Sequence, residues 1–354
     1  MNLLSITGLK QAAASGRTLA AVHVQVDTLA RKATRDGKPF FELTVADAEG
    51  KMTLRAWSDS PSFEHCAGLG EGCFLEVAGE FSLGNYGVES KDWRCRGLSD
   101  DERDAMLAGP PELRARQRFD YEFLQSGADA IADPRLRALA QLFLDEYGER
   151  LQRTGAARTN HHARRGGLVE HMAQMMRSGF ALAGVYPQLN RDLLVAGILF
   201  HDSGKLWENA YTADGFSMPY TERGELLGHI PIGIELVNAL WRKLLQTEEA
   251  KSWPGLQPEN EQVRLHLLHL IAAHHGELQF GSPVVPKTPE AWALHHIDNL
   301  DAKLEMIFTG YGAAKPLAEH VFERVWPLPG NLVRPLPVFG EEVDSAEPGG
   351  EGAP

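Results

Sequence analysis

Apolar and polar positions alternate along the first hundred residues. Val22, Val24 and Val26 stand at period two within LAAVHVQVDTLARKA, and FFELTVAD, KMTLRAWS, CFLEVAGEF and YGVESKDWRCRGL follow at short spacing. The turn signals DGKP, AEG, GLGEG and LGN separate them. About five strands with a short helix near PSFEHCAG predict a small all-β barrel over residues 1–97, of the oligonucleotide/oligosaccharide-binding (OB) type. An SH3-like barrel shares the strand count. Residues 98–118, LSDDERDAMLAGPPELRARQR, are charged and carry Pro110-Pro111, which predicts a linker. The period then becomes helical, with helices expected over 134–153, 167–184, 190–202, 224–246, 259–275 and 288–308. Residues 119–327 are thus expected to form an all-α domain. A Pro-, Gly- and acid-rich tail, expected to be disordered, fills 328–354.

Composition narrows this multidomain picture only a little. A chain of 354 residues has room for two domains. The net charge of −13 counts against a broad nucleic-acid-binding surface, although EEVDSAEPGGEGAP alone contributes five acids and no base. No apolar run reaches the roughly 20 residues of a membrane span, so no membrane partner is expected. MNLLSITGLKQAAASGRTLA lacks a basic start followed by an apolar stretch and is not read as a secretory signal. Cys66, Cys73 and Cys95 include no CxxC spacing and read as reduced thiols of a cytoplasmic protein.

The candidate chemistry lies in the helical half. LLVAGILFHDSGK runs an apolar helix into adjacent His201 and Asp202. Further histidines and acids cluster in NHHARRGGLVEHM (His161, His162, His171), GELLGHIPI (His229), LIAAHHGE (His274, His275) and ALHHIDNLDAK (His295, His296, Asp298, Asp301). Imidazole and carboxylate donors without thiolates suit a divalent ion such as Mn, Fe, Ni or Zn. A lysine at 205, beside such a site, points to an anionic ligand such as phosphate. Gly204 is expected to let the backbone turn away. His266 and His269 read as packed or solvated, His266 being a candidate for the outer shell of the site; His23, His65 and His320 carry no functional expectation.

The ordered pattern His171 … His201-Asp202 … Asp298, with HDSGK as HDxGK, resembles the HD superfamily of metal-dependent phosphohydrolases over residues 120–325. Within it, GLVEHM, AGILFHDSGK, LLGHI, AAHHGE and HHIDNLDAK are similar to the YhaM-type 3′→5′ exoribonucleases, which join an OB domain to an HD domain. The resemblance implies a first metal site of His171, His201, Asp202 and Asp298. It implies a second of His229 with His274, His275 or both, Asp202 bridging the two. Two ions roughly 3.5–4 Å apart would serve phosphodiester hydrolysis. The implied metal is Mn²⁺, with Fe²⁺, Ni²⁺, Co²⁺, Zn²⁺ and Mg²⁺ open alternatives. Lys205 would face a phosphate oxygen, and Asp301, His295 or Glu170 would orient ligands.

The implied substrate is single-stranded RNA, or single-stranded DNA, digested from its 3′ end to nucleoside monophosphates by a homo-oligomer. His161, His162, Arg164 and Arg165 are candidate phosphate contacts or helix caps. In the barrel, Lys32, Arg35, Lys38 and Phe41 are candidate contacts to a single strand. Trp57, Phe81, Tyr86 and Trp93 serve equally well as barrel core. Residues 17–97 hold ten Lys/Arg against twelve Asp/Glu, so the barrel shows no basic stripe. Two other readings remain open: a hydrolase of small or cyclic nucleotides whose barrel is an interaction module, and a non-enzymatic binder of single strands.

Overall fold

A computed structural model describes residues 1–84, 87–90, 92–337 and 339. Tyr86 and the acidic stretch 341–354 lie outside the described residues.

The chain opens with β1 (Asn2–Leu4) and α1 (Ile6–Ser15). The side chain of Ser5 caps α1 by accepting from the Gly8 N–H at 3.1 Å, and the buried Asp47 carboxylate accepts from Ile6 N–H at 2.6 Å. Then β2 (Thr18–Ala33), β3 (Pro39–Ala46), β4 (Lys51–Trp57), α2 (Pro61–Ala67), β5 (Phe74–Gly84), β6 (Gly87–Glu89) and β7 (Arg94–Gly97) complete the barrel. The sheet order is β4-β3-β2-β5-β6, with β7 on β5 and β1 on β2. All pairings are antiparallel except β1 with β2. The sixteen-residue β2 serves both β3 and β5, bending at an irregularity between Val26 and Thr28. One long shared strand and a helix between β4 and β5 give the OB-like arrangement. Val22, Val24, Val26, Leu43, Val45, Leu54, Val77, Phe81 and Trp93 fill its core.

The stretch expected to be a linker is helical: α3 (Asp100–Ala108) and α4 (Pro111–Asp129). Ser99 and Glu102 make a reciprocal capping box on α3. Pro111 begins α4, where a missing N–H removes no helical hydrogen bond. The two prolines thus separate two helices.

The helical domain continues with α5 (Pro134–Leu151), α6 (Gly167–Val185), α7 (Arg191–Phe200), α8 (Lys205–Glu208), α9 (Glu222–Leu227), α10 (His229–Leu244), α11 (Asn260–Ala273) and α12 (Pro289–Ala313). The single helix expected over 224–246 is two. Gly228, at φ 68°, breaks it and makes His229 the first residue of α10. Leu139, Phe143, Met172, Leu199, Phe200, Leu267, Leu270 and Leu294 belong to the core on which α5, α6, α7, α11 and α12 converge. Beyond α12, β8 (Pro316–Ala318), β9 (Val321–Phe322) and β10 (Leu332–Val333) form a small sheet over buried Phe322, Leu328 and Leu332. Ordered packing therefore extends past 328, where the sequence pattern placed the start of a disordered tail. Among the described residues no helix is long and apolar enough to cross a membrane.

The two domains meet at an apolar seam. Ala46 and Ala48 of the barrel and Met106 and Leu113 of the helices between the domains pack with Tyr211, Phe216 and Met218. The last three belong to a loop of the helical domain. That loop is pinned from both sides. Phe216 N–H donates to Gln25 Oε1 of β2 at 2.6 Å, and Arg165 donates to the carbonyls of Thr212 (2.6 Å), Gly215 (2.9 Å) and Ala213 (3.0 Å).

Candidate metal centre

Every residue of α7 from Leu193 to Phe200 is buried, which fixes the helix end. Gly197, the one non-apolar position in that run, is explained by contact. A Cβ there would lie 2.4 Å from Leu270 Cδ2, so the glycine lets α7 approach α11. Gly204 has an ordinary right-handed φ of −68°, not a special turn. Its role is also close approach: a Cβ would stand 1.9 Å from the His229 carbonyl oxygen. The absent side chain seats the HD segment against the start of α10.

His201 caps α7 and His274 caps α11, both fully or almost fully buried. In each, the ring Nδ1 faces the carbonyl three residues back, Ile198 at 2.9 Å and Ile271 at 2.8 Å. A carbonyl only accepts, so Nδ1 carries the proton and the Nε2 lone pair points away. The same logic applies at His171, whose Nδ1 faces Asp301 Oδ2 at 2.7 Å, and at His229, whose Nδ1 faces Glu208 Oε2 at 3.1 Å. At His275, Nδ1 faces the Phe280 carbonyl at 2.7 Å. Five imidazoles are thereby turned by outer partners.

The free nitrogens of four of them converge on Asp202. His201 Nε2 and His171 Nε2 lie 3.3 and 3.9 Å from Asp202 Oδ2. His229 Nε2 and His274 Nε2 lie 3.5 and 3.6 Å from Oδ1. Asp298 Oδ1 is 3.3 Å from His171 Nε2. Thus one oxygen of Asp202 faces the His171–His201 pair and the other faces the His229–His274 pair. Ligand-capable atoms of His171, His201 and Asp202 fall within 4.8 Å of one another, as do those of His229, His274 and His275. Nε2 of His171, His201, His229 and His274, with Asp202 Oδ1, are buried and have no hydrogen-bond partner. Five orphaned lone-pair acceptors around one point are costly unless something binds them. An N/O donor set of this kind fits a divalent cation.

The electrostatics agree. Burial lowers the basicity of His274, takes His275 to about 4, and takes His161 to about 3, leaving neutral rings of the form that binds metal. At His171 burial also acts downward. The negative carboxylates of Asp298 and Asp301 on either side of it outweigh that and lift the ring to about 9. Those carboxylates thus favour a positive charge at this position. Burial alone would raise Asp202 and Asp298, but the surrounding cationic and hydrogen-bonding groups hold both well below the ordinary carboxylate range. Lys205, nearly buried, donates to Asp202 Oδ2 at 2.6 Å.

The remaining candidates divide. His161 is half-buried beside His171, ring centroids 5.5 Å apart. His162 is not a helix cap or an open phosphate contact. It is buried, with Nε2 3.0 Å from Asp301 Oδ2. Arg164, expected to reach phosphate, is committed to Glu170 and to Glu305, and Arg165 is committed to the seam loop. Glu170 touches no metal-facing histidine and instead holds Arg164 and Gln117. Asp301 does orient His171. His295 supports the other side: its Nδ1 donates to the His274 carbonyl at 2.9 Å, and its ring occupies the place a side chain on Gly276 would take. Glu208 escaped the sequence reading although it stands six residues after Asp202 in HDSGKLWE. His266 and His269 line a separate surface depression with Lys287.

In the barrel, Phe41, expected to contact a single strand, is not on the groove side of β3. Phe41 packs inward against Phe63, ring centroids 4.9 Å apart. Its neighbour Phe40 faces outward and lies 4.8 Å from Trp57. Both line a groove of about 870 Å³ with Arg17, Lys32, Arg35 and Arg55, and with Glu42, Glu80, Glu89 and Asp92. Lys38 is not in it and pairs with Asp59 at the surface. A grouping of His23, Glu76 and Glu102 resembles a metal site only by spacing. Arg96 already donates to both carboxylates there.

A small barrel joined to helices that gather imidazoles and carboxylates around one aspartate defines an HD-domain protein, and the HD-domain family model matches residues 168–303. The chain is 32% identical over 279 residues to a protein named 3′-5′ exoribonuclease YhaM from Oceanobacillus iheyensis, covering 78% of this chain and 82% of that one. It is 31% identical over 297 residues to a protein of the same name from a Geobacillus species, covering 83% and 86%. The Bacillus licheniformis protein of that name is 32% identical over 325 residues, covering 87% and 95%. The chain belongs to the YhaM family.

Proposed function

We propose that this protein is a metal-dependent 3′→5′ exoribonuclease that shortens single-stranded RNA to nucleoside monophosphates. The observation that carries the metal reading is the ring of orphaned buried atoms around Asp202. The direction and the RNA substrate rest on its exoribonuclease relatives. In this reading His171, His201, Asp202 and Asp298 hold one ion. His229, His274 and His275 hold a second, Asp202 facing both. Mn²⁺ is the first choice, and single-stranded DNA is a second substrate. The working form is a cytoplasmic homo-oligomer.

Divalent ions there supply Lewis acidity and a water of lowered pKa. The rest falls to the chain. Asp301, Glu208 and the Ile198 and Ile271 carbonyls fix the tautomers, so each ring offers Nε2 without rearrangement. Lys205 holds an ammonium at the Asp202 carboxylate, where it can stabilise charge on a phosphate oxygen. His161, neutral and at the edge of the site, can donate one N–H to the phosphate. In the barrel, Phe40 and Trp57 offer faces for base stacking, and Lys32 and Arg35 offer charge along the same groove.

The test uses the full chain with Mn²⁺ and a short single-stranded RNA labelled at either end. A 3′ label should leave at once as a mononucleotide, and a 5′ label should give a descending ladder. Chelation or Asp202→Asn should stop both. Intact RNA alongside rapid turnover of cyclic or mononucleotides would replace this reading with that of a small-nucleotide hydrolase.

A further inference from the structure

The strongest unassigned feature is the polar chain behind His171. Asp301 Oδ2 receives two imidazoles, His171 Nδ1 at 2.7 Å and His162 Nε2 at 3.0 Å. His162 lies just outside the span matched by the HD-domain family model. It is buried, and it is the one non-glycine residue with positive φ (45°) among those described. That conformation disfavours any L side chain and persists only where the surroundings enforce it. The surroundings are visible. The His162 carbonyl accepts from Ala156 N–H at 3.3 Å and Arg164 N–H at 2.9 Å. A Cβ on Gly167 would stand 2.0 Å from that carbonyl oxygen. On the far side of the ring, Nδ1 lies 3.9 Å from Glu170 and 3.8 Å from Glu305, both held by Arg164.

We infer that His162 is a positioning residue for the first metal site, holding the Asp301 carboxylate in the one orientation that presents the His171 Nε2 lone pair to the ion. A carboxylate on a helix can rotate about two side-chain bonds. A single donor from His171 would restrain it only along one line. A second donor on the same oxygen, from a different segment of chain, fixes the rotation. With Asp301 fixed, His171 keeps its proton on Nδ1 and leaves Nε2 to bind. The strained backbone at 162 is what brings the ring to that oxygen. The residue therefore acts through Asp301 and His171 and touches neither substrate nor ion. The Arg164–Glu170–Glu305 group supports it from behind, which explains why that arginine is withheld from substrate.

This inference rests on the metal reading proposed above, and its test reads binding before catalysis. Mn²⁺ affinity of the full chain is measured by titration calorimetry for the wild type and for His162→Ala, His162→Gly and His162→Gln. His162→Ala should weaken one Mn²⁺ binding step about 10- to 100-fold, the usual effect of losing an outer partner of a metal histidine. His162→Gly should be weakened equally, because it relieves the backbone but lacks the donor. His162→Gln, which restores an N–H donor of similar reach, should recover most of the affinity. At saturating Mn²⁺ the RNA KM of His162→Ala should stay within twofold of wild type. The inference is overturned if folded His162→Ala binds Mn²⁺ within twofold of wild type, if Gly rescues where Ala does not, or if Gln is no better than Ala. If the wild type binds no divalent ion, the metal reading itself fails. If it binds Mn²⁺ but leaves RNA intact, only the substrate reading fails and the inference at His162 stands.

Discussion

The barrel and the helical domain treat their polar groups in opposite ways. The helical domain gathers histidines and aspartates from α6, α7, α10, α11 and α12 and leaves four ring nitrogens and one carboxylate oxygen unpaired at a single buried point. Among the described residues the barrel gathers no such cluster. Its groove sets four cations beside four carboxylates, with Lys32 2.6 Å and Arg55 3.2 Å from Glu42. A site left unsatisfied specifies a ligand by its atoms, because only a matching partner removes the cost. A balanced groove specifies little by charge and has to rely on shape and on ring faces. The first carries the chemistry and the second, in our reading, the length of the substrate.

The sharpest break between them should come at Asp202. Asp202→Asn removes the negative charge shared by both histidine pairs. Turnover of RNA and of a small phosphodiester should both fall by more than the roughly 100-fold typical of an outer-partner mutation, while RNA affinity measured by anisotropy is kept. Next in size is the barrel pair. Phe40→Ala with Trp57→Ala should raise the KM for RNA about 10- to 100-fold, from a stacking contribution of roughly 1–3 kcal/mol per base, and leave hydrolysis of the small phosphodiester unchanged. Loss on both substrates would mean that the groove and the centre are not separable. A smaller effect should cross the divide: Arg165→Ala strips three carbonyls of their donor and should cost about 1–3 kcal/mol in urea unfolding, with the seam loop opening first in hydrogen exchange.

The smallest effect should be in acid. In the helical domain burial raises Asp301 and Glu170, but hydrogen bonds from His162, His171 and Arg164 win. They hold Asp301 at about 2 and Glu170 below the ordinary range. Carboxylates depressed in the fold contribute stability above their unfolded values near 4, and this is lost as pH falls from roughly 5 towards 2. In the barrel, burial dominates at Asp47 and raises it, so protonation there relieves the folded state instead. Methyl resonances of Leu199 and Leu270 should therefore melt before those of Val24 and Val45 on acidification; the reverse order would contradict these assignments.

Much of the helical site was legible because its residues advertise themselves locally. His201-Asp202 and His274-His275 end apolar helices, and a polar pair has no packing reason to stand there. Roles set by distant partners were not legible. Nothing adjacent to Arg164 and Arg165 reveals that Glu305 and the 212–215 carbonyls consume their donors, and nothing near His162 announces Asp301, 139 residues away. In the barrel, period-two alternation defines strands but admits two phases. The adjacent rings Phe40 and Phe41 leave the phase open, and the candidate strand contact Phe41 is the one that packs inward. Pro110-Pro111 misled for a related reason: a proline that breaks a helix interior also starts one well.

The loop carrying Tyr211, Phe216 and Met218 has a consequence for how such proteins can be recombined. By sequence it belongs to the helical domain, yet part of its surface completes the barrel's. A boundary drawn between residues 97 and 119 would cut the peptide in a sensible place and still strand Phe216 in water. Grafting this barrel onto another helical domain would need residues 211–218 to travel with Gln25, Ala46 and Ala48 as one discontinuous cassette. The unit that can be exchanged is thus defined by the seam and not by the chain order.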